Sequence, residues 1–380
     1  MAAVGALVVG GCGGSGRTGG NSTQATSGAT ASKDCTASIG LEAPLTGQLA
    51  ALGQEQLAFA KLAIHRDNKA NGTHVTLVQG NTQLMPARAT TVTQQFISNP
   101  KVIGVVGPAG SEEVEAVGPL FGPAGLVFIS GSATSPTLTS TGKNPTFFRT
   151  VAREDMQGPE EASFVVKHLH PKKVMIVDDG RVDSHAWVSA MIPIFQKAGI
   201  RVDHESASQT AVNFSSLAAK VSPDTSVVVL PWRVAVNDRQ FGEHLAEQHK
   251  DVTIAGTDGM FSPSATTTPG SYVWAVGPDI TAIPADASIA QAAKRTFPQF
   301  GTAGPPVYAA THVLDQAIAA ACKAGTPTRS TVLSAVRQTS EPTSILGQPI
   351  QFDAHGDLIG GKWFLFKVNP QGKYAVVTTS

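Results

Sequence analysis

The sequence predicts an α/β protein built as two units, each a parallel sheet covered by helices. Three observations predict it. From Thr36 onward, apolar runs of strand length alternate with longer segments of helical period. That βαβα order argues for parallel strands with helices packed on them. Near Phe147-Phe148-Arg149-Thr150 the alternation starts afresh, so a second unit follows the first. The chain has 380 residues, enough for two domains.

In the first unit, Ser38–Ala43 reads as a strand and Gln54–Lys69 as a helix with Leu57, Ala60 and Ile64 on one face. Val75–Gln79 is a strand, Ala87–Ser98 a helix behind Pro86, and Val102–Val106 a strand. Glu112–Val117 is a short helix and Leu126–Ile129 a buried strand. The second unit opens with a helix, Pro159–Leu169, and a strand, Lys173–Val177. Ser184–Lys197, Phe214–Val221 and Val236–His249 are helices. Ile200–His204, Ser226–Leu230, Val252–Ala255 and Tyr272–Val276 are strands. Three helices follow, Ala287–Thr296, Pro306–Lys323 and Ser330–Gln338. The end is β-like, with Pro349–Phe352, Trp363–Val368 and Tyr374–Val377 joined by Gly/Asp/Asn turns.

The stretch Gly107–Pro136 carries the first functional signal. Two strand runs in it end in small hydroxyl residues and glycines, at Gly107-Pro108-Ala109-Gly110-Ser111 and at Ser130-Gly131-Ser132-Ala133-Thr134. Ligands of open parallel sheets sit outside the carboxyl ends of strands. Two readings of Ser111 stand. It caps its helix, or the helix N-terminus there receives an anion. Glu112 and Glu113 suit a helix start, and they repel an anion unless they point away.

Residues 1–12, MAAVGALVVGGC, contain a short apolar run ending in Val9-Gly10-Gly11-Cys12. The run reads as the end of a secretory signal. Its last four residues resemble a bacterial lipobox, whose cysteine, Cys12, becomes lipid-modified. No Lys or Arg precedes the run. Gly11–Thr18, GCGGSGRT, nearly matches a phosphate loop, but Arg17 replaces the required lysine and no helical run follows. Residues 13–35 read as a flexible tether, with a reach of about 25 Å. Lys+Arg and Asp+Glu are each 28, and no basic stripe is visible, which argues against nucleic acid as a partner. The three cysteines have no metal-ligand spacing, and nothing in the chain calls for a cofactor.

Further landmarks run through the chain in order: IGLEAPLTGQLAALGQEQ, GVVGPAGSEEV, FISGSATSPTLT, FFRTVAREDMQGP and IAGTDGMF, then GPPVYAATHVLDQAI, SILGQPIQFDAHGDL and GGKWFLFKV. Together they resemble the leucine/isoleucine/valine-binding family of ABC-transporter substrate-binding proteins, from about Ile39 to the C-terminus. The resemblance implies a type I periplasmic binding protein fold: two doubly wound parallel-sheet lobes joined by a three-crossover hinge. It divides the chain into residues 36–150 plus 281–357 for lobe one and 153–280 plus 360–380 for lobe two. Crossovers fall near Thr150–Arg153, Asp279–Thr281 and Asp357–Gly360. The resemblance further implies a free amino acid, branched-chain first, held in the cleft and passed to a permease, and the lipobox implies a lipid anchor on the outer face of the cytoplasmic membrane.

The resemblance also implies roles. Ser111 matches the hydroxyl that holds the ligand carboxylate. Ser132 offers its backbone and Thr134 its N–H and hydroxyl. Asp258, followed by Gly259, pairs with the ligand ammonium. Trp232 falls near an aromatic of the second lobe. Leu52 and Asp183 stand where many relatives have tyrosine, at the border of the ligand side chain. Gly110 holds one position of a cysteine pair found in some relatives. Cys35 and Cys322 both fall in lobe one, and in an exported protein a bridge between them is expected; the alternative is two unpaired thiols, with Cys322 packed as a small hydrophobe.

Two other functions compete with the amino-acid receptor. One is a receptor of the same fold for a small amide, urea or other polar ligand. The other is an enzyme using His168 and His170, Asp178 and Asp179, or Glu112 and Glu113 as acid–base pairs. Solvated surface is the plainer account of each pair. The chain contains neither a GxSxG nor an HExxH motif.

Overall fold

A computed structural model describes residues 35–377, apart from 209, 233 and 262–267 and the side chains of 182, 183 and 235. The first sheet has five strands: β1 (Thr36–Ala43), β2 (His74–Asn81), β3 (Val102–Val106), β4 (Val127–Ser130) and β5 (Phe147–Arg149). They are all parallel, in the order β2-β1-β3-β4-β5. Strands covered on both faces need apolar residues at successive positions, and all five residues of β3, VIGVV, are buried. Helices α1 (Ala50–Asn71), α2 (Pro86–Ser98) and α3 (Ser111–Phe121) make the crossovers, and α4 (Thr137–Ser140) is a single turn. Gly107 ends β3 at φ 102, and a Cβ there would lie 2.2 Å from the Glu42 carbonyl oxygen. Only glycine fits that bend.

After β5 the chain crosses to the second sheet. Helix α5 (Glu154–Phe164) runs into a π-turn at Val165–Leu169. Then come β6 (Lys173–Asp178), α6 (Val182–Lys197), β7 (Arg201–Ser206), α7 (Ser215–Lys220) and β8 (Val227–Leu230). The series continues with α8 (Ala235–Glu247), β9 (Thr253–Gly256) and β10 (Tyr272–Ala275). The chain then returns to the first sheet with α9 (Ala287–Thr296), α10 (Gly304–Ala324) and α11 (Arg329–Arg337). A two-stranded ribbon, β11 (Ser340–Glu341) and β12 (Ile350–Gln351), follows. The chain crosses a third time to add β13 (Phe364–Val368) and β14 (Tyr374–Val376) to the second sheet. The order there is β14-β13-β10-β9-β8-β6-β7. The last two strands are antiparallel, so the second sheet is mixed rather than purely parallel. β13 enters antiparallel to β10 from the third crossover, and a hairpin turn then returns the chain as β14.

Helices α1 and α10 pack together beside β1. At the far end of that layer, Cys35 and Cys322 form a disulfide, with Cα atoms 5.8 Å apart. The expected bridge is therefore present. Cys12, the lipobox and residues 13–34 of the tether lie outside the described residues, as does the near-match to a phosphate loop. No described helix is long and apolar enough to cross a membrane.

Several carboxyls are buried in these layers, which sets a pH dependence. Burial pushes Glu42 and Glu161 up to about 8, and Glu55, Asp238 and Asp315 up to about 7. Each group ionises earlier in the unfolded chain than in the fold. From about pH 5 to 8 the folded chain therefore holds more protons, and stability falls as pH rises. The expected result is a melting temperature several degrees higher at pH 5 than at pH 8. A flat or rising profile by differential scanning calorimetry contradicts this account.

Candidate functional site

A cleft of about 560 Å³ lies between the two lobes, at the carboxyl ends of their strands. The loop after β4 supplies Ser132 and Thr134, and the loop after β9 supplies Asp258 and Gly259. Leu52, on the first turn of α1, faces the same space.

The loop after β4 is held from within. Ser130 Oγ donates to the Pro108 carbonyl at 2.6 Å and accepts the Ala133 N–H at 3.0 Å. Ser132 Oγ donates to the Ala109 carbonyl at 2.9 Å and accepts from Gln56 Nε2 at 3.1 Å. Thr134 reaches across to the second lobe. Its Oγ1 donates to Glu154 Oε2 at 2.7 Å, and its carbonyl accepts the Glu154 N–H at 3.0 Å. Glu154, the first residue of α5, also lines the cleft and is 5% exposed. Thr134 and Glu154 are thus one polar unit spanning the lobes.

Asp258 opens a single 3₁₀ turn, Asp258–Met260, after β9. Thr257 before it is fixed by a 2.6 Å bond from its Oγ1 to the Trp232 carbonyl. The side chain of Trp232 is elsewhere: it is 3% exposed and packs against Phe214 and Phe241 in the second-lobe core. The aromatics on the cleft wall are Trp187 of α6, beside Ser184, together with Phe261 and Phe297. The backbone of Asp183 lies in the first turn of α6, and its side chain is outside the described residues.

Ser111 does not act as the helix cap. It is the first residue of α3, with Gly110 at the N-cap position. Glu113 supplies the capping bond, its Oε2 accepting the Gly110 N–H at 2.9 Å. Ser111 Oγ instead accepts the Ser135 N–H at 3.2 Å, tying α3 to the loop after β4. Its side chain is buried behind the cleft wall. Glu112 turns outward and pairs with Arg181 of the second lobe at 2.7 Å. Neither acid of the SEE triplet therefore faces the site.

Glu55 of α1 lines the cleft too. It accepts the N–H groups of Gly301 at 2.9 Å and Gly304 at 2.6 Å, which fixes the loop before α10 as part of the wall. Glu154, Glu55 and Trp187 were not singled out by sequence reasoning. An acid at a helix start reads as a dipole partner, and a glutamate or tryptophan inside a helix carries no motif.

Most members of the acid–base pairs have structural partners. Asp178 accepts from Ser206 Oγ at 2.7 Å and the Gly180 N–H at 2.7 Å, with His204 Nε2 also 2.7 Å away. The His168 ring stacks on Phe164, and His170 closes the π-turn at φ 47. Among the described residues, no group of three or more His, Cys, Asp or Glu side chains is arranged to hold a metal ion.

Comparison with known proteins agrees with this architecture. An amino acid binding protein of Pseudomonas aeruginosa is 24% identical over 343 residues, covering 88% of this chain and 91% of that protein. The Leu/Ile/Val-binding protein BraC3 of Rhizobium johnstonii is 26% identical over 340 residues, covering 87% of this chain and 90% of that protein. A crystal structure of LivJ from Streptococcus pneumoniae, a branched-chain amino acid transporter substrate-binding protein in complex with isoleucine, is similar in fold. Its TM-score is 0.79 at 22% identity, with 90% of this chain and 99% of that chain covered. The family model described as periplasmic binding protein matches residues 36–373, and the chain therefore belongs to that family.

Proposed function

We propose that this protein is the extracytoplasmic substrate-binding component of an ABC transporter and that it binds a free L-α-amino acid, branched-chain amino acids first. One observation carries the reading. Hydroxyl and backbone groups of the loop after β4 face a cleft that also holds two second-lobe acids, Glu154 bonded to Thr134 and Asp258 after β9. A zwitterion satisfies groups of both lobes at once, so it is bound best with the lobes together. Ser132 and Thr134 serve the head group, Asp258 and Glu154 the ammonium, and Gly259 lets the backbone come close. Ser111 acts through Ser135, behind the wall. Leu52 and Asp183 border the ligand side chain. Trp232 supports the loop of Asp258 through its carbonyl. The lobes are residues 36–150 with 281–357, and 153–280 with 360–380.

A thermal-shift panel tests the reading. Free leucine, isoleucine and valine should raise the melting temperature, and urea and small amides should not. The reverse ranking identifies a receptor for another polar ligand. The panel repeated on Asp183→Tyr should change the order among amino acids; an unchanged order removes Asp183 from selectivity.

The proposal extends to the leader and to the permease that receives the ligand. Cys12 carries the lipid, and residues 13–35 tether the lobes to the membrane. A Cys12→Ser chain with its native start should move to the soluble exported fraction. An unmodified parent in that fraction contradicts the anchor.

A further inference from the structure

The geometry points to Arg149 as a positioning residue that joins the loop of Ser132 and Thr134 to the hinge. This inference rests on the reading of that loop as a ligand contact. Arg149 ends β5, immediately before the first crossover, and its side chain is fully buried. Its Nη1 donates to the carbonyls of Ala133 at 3.3 Å and Ser135 at 2.8 Å. Those carbonyls belong to the Ala133–Thr134 and Ser135–Pro136 peptides, so one guanidinium holds the chain on either side of Thr134. The Nη2 group donates to Thr139 Oγ1 at 2.8 Å, and Nε donates to Asp357 Oδ1 at 2.6 Å. A planar fork with fixed donors suits this task, and an ammonium cannot repeat it.

Asp357 lies on the third crossover. Its Oδ2 accepts from Thr139 Oγ1 at 3.0 Å and from Arg153 Nη1 at 3.3 Å. Arg153 stands at the N-cap of α5, where the second lobe begins, and its carbonyl accepts from Trp363 Nε1 at 3.1 Å. The Arg149 N–H also donates to the Gly356 carbonyl at 3.0 Å. Gly356 has φ 92, and a Cβ there would lie 2.1 Å from the Phe147 carbonyl oxygen. A single carboxylate thus receives one arginine from the ligand-loop side and another from the second lobe. Rotation of the lobes changes the Arg153–Asp357 contact, and the effect reaches Thr134 through Arg149. Affinity is set in part by residues that do not touch the cleft.

Hydrogen exchange of the ligand-free protein reads this directly, because loop amides open locally before the core does. The variants are Arg149→Lys and Asp357→Asn, with Arg153→Met as a milder change at a partly exposed site. In the first two, amides of the Ser132–Thr137 segment should exchange at least about tenfold faster, while those of β1 stay unchanged. Unchanged exchange in that segment, or a uniform rise across the chain, overturns the proposal. An Arg149→Lys protein that does not fold leaves Asp357→Asn to decide. Titration with L-leucine adds the second readout, with weakening of at least about fivefold expected for Asp357→Asn. Faster exchange without weaker leucine binding, where the parent binds leucine, also overturns it. A parent that binds no amino acid refutes the functional reading instead, and the exchange data still decide whether Arg149 positions the loop.

Discussion

Replacing the two cleft carboxylates together, Glu154→Gln with Asp258→Asn, should weaken amino-acid binding by about 100-fold or more. Each replacement removes a charge-assisted contact to the ligand ammonium, worth roughly 1.5–3 kcal/mol. The losses should not multiply fully. Both carboxylates meet the same ammonium, so the two contacts are coupled rather than independent. Both replacements keep the shape of the side chain, and the glutamine oxygen still accepts from Thr134. Circular dichroism should therefore match the parent. Calorimetry that finds the double variant within about threefold of the parent contradicts the assignment of the ammonium site.

Cys322→Ser should lower stability by about 2–5 kcal/mol, a drop in Tm of roughly 5–10 °C. The bridge joins residues separated by 287 positions, so it closes most of the chain into one loop. It also ties the residue before β1 to the last turn of α10, and β1 lies between β2 and β3 in the first sheet. Scanning calorimetry with and without reductant measures the effect. The parent should fall to the level of the variant when reduced, and the variant should not respond. A reductant-insensitive parent, or free thiols at Cys35 and Cys322 in the native protein, contradicts a bridged structure.

Much of the fold was legible because periodicity reports burial directly. Val102–Val106 was expected as a strand and has those bounds, since five successive small apolar residues fit only a strand covered on both faces. The strand Phe147–Arg149 was not legible. It is three residues long and ends in a charge, and its buried arginine is satisfied by distant groups, among them Asp357, 208 positions away. The same limit applied at Ser111. A serine followed by two acids reads as a cap, yet Glu113 reaches back and takes that role. Composition and spacing alone left the site open. The resemblance singled out Leu52, Ser132, Thr134, Asp258 and Gly259, and all five line one cleft. Trp232 followed a looser match, and its indole fills the core instead. Glu154 was hidden by its position at a helix start, where an acid needs no ligand to explain it.

The central claim is that the cleft recognises the zwitterionic head group of a free amino acid. Isothermal titration of the parent with L-leucine, leucinamide and 4-methylpentanoic acid tests it most directly. The three share one side chain and differ only in the ammonium and carboxylate. Saturable one-to-one binding of leucine is expected, with each analogue at least about tenfold weaker, as loss of one charge-assisted contact requires. Equal binding of leucine and either analogue, or binding of an analogue alone, contradicts the account.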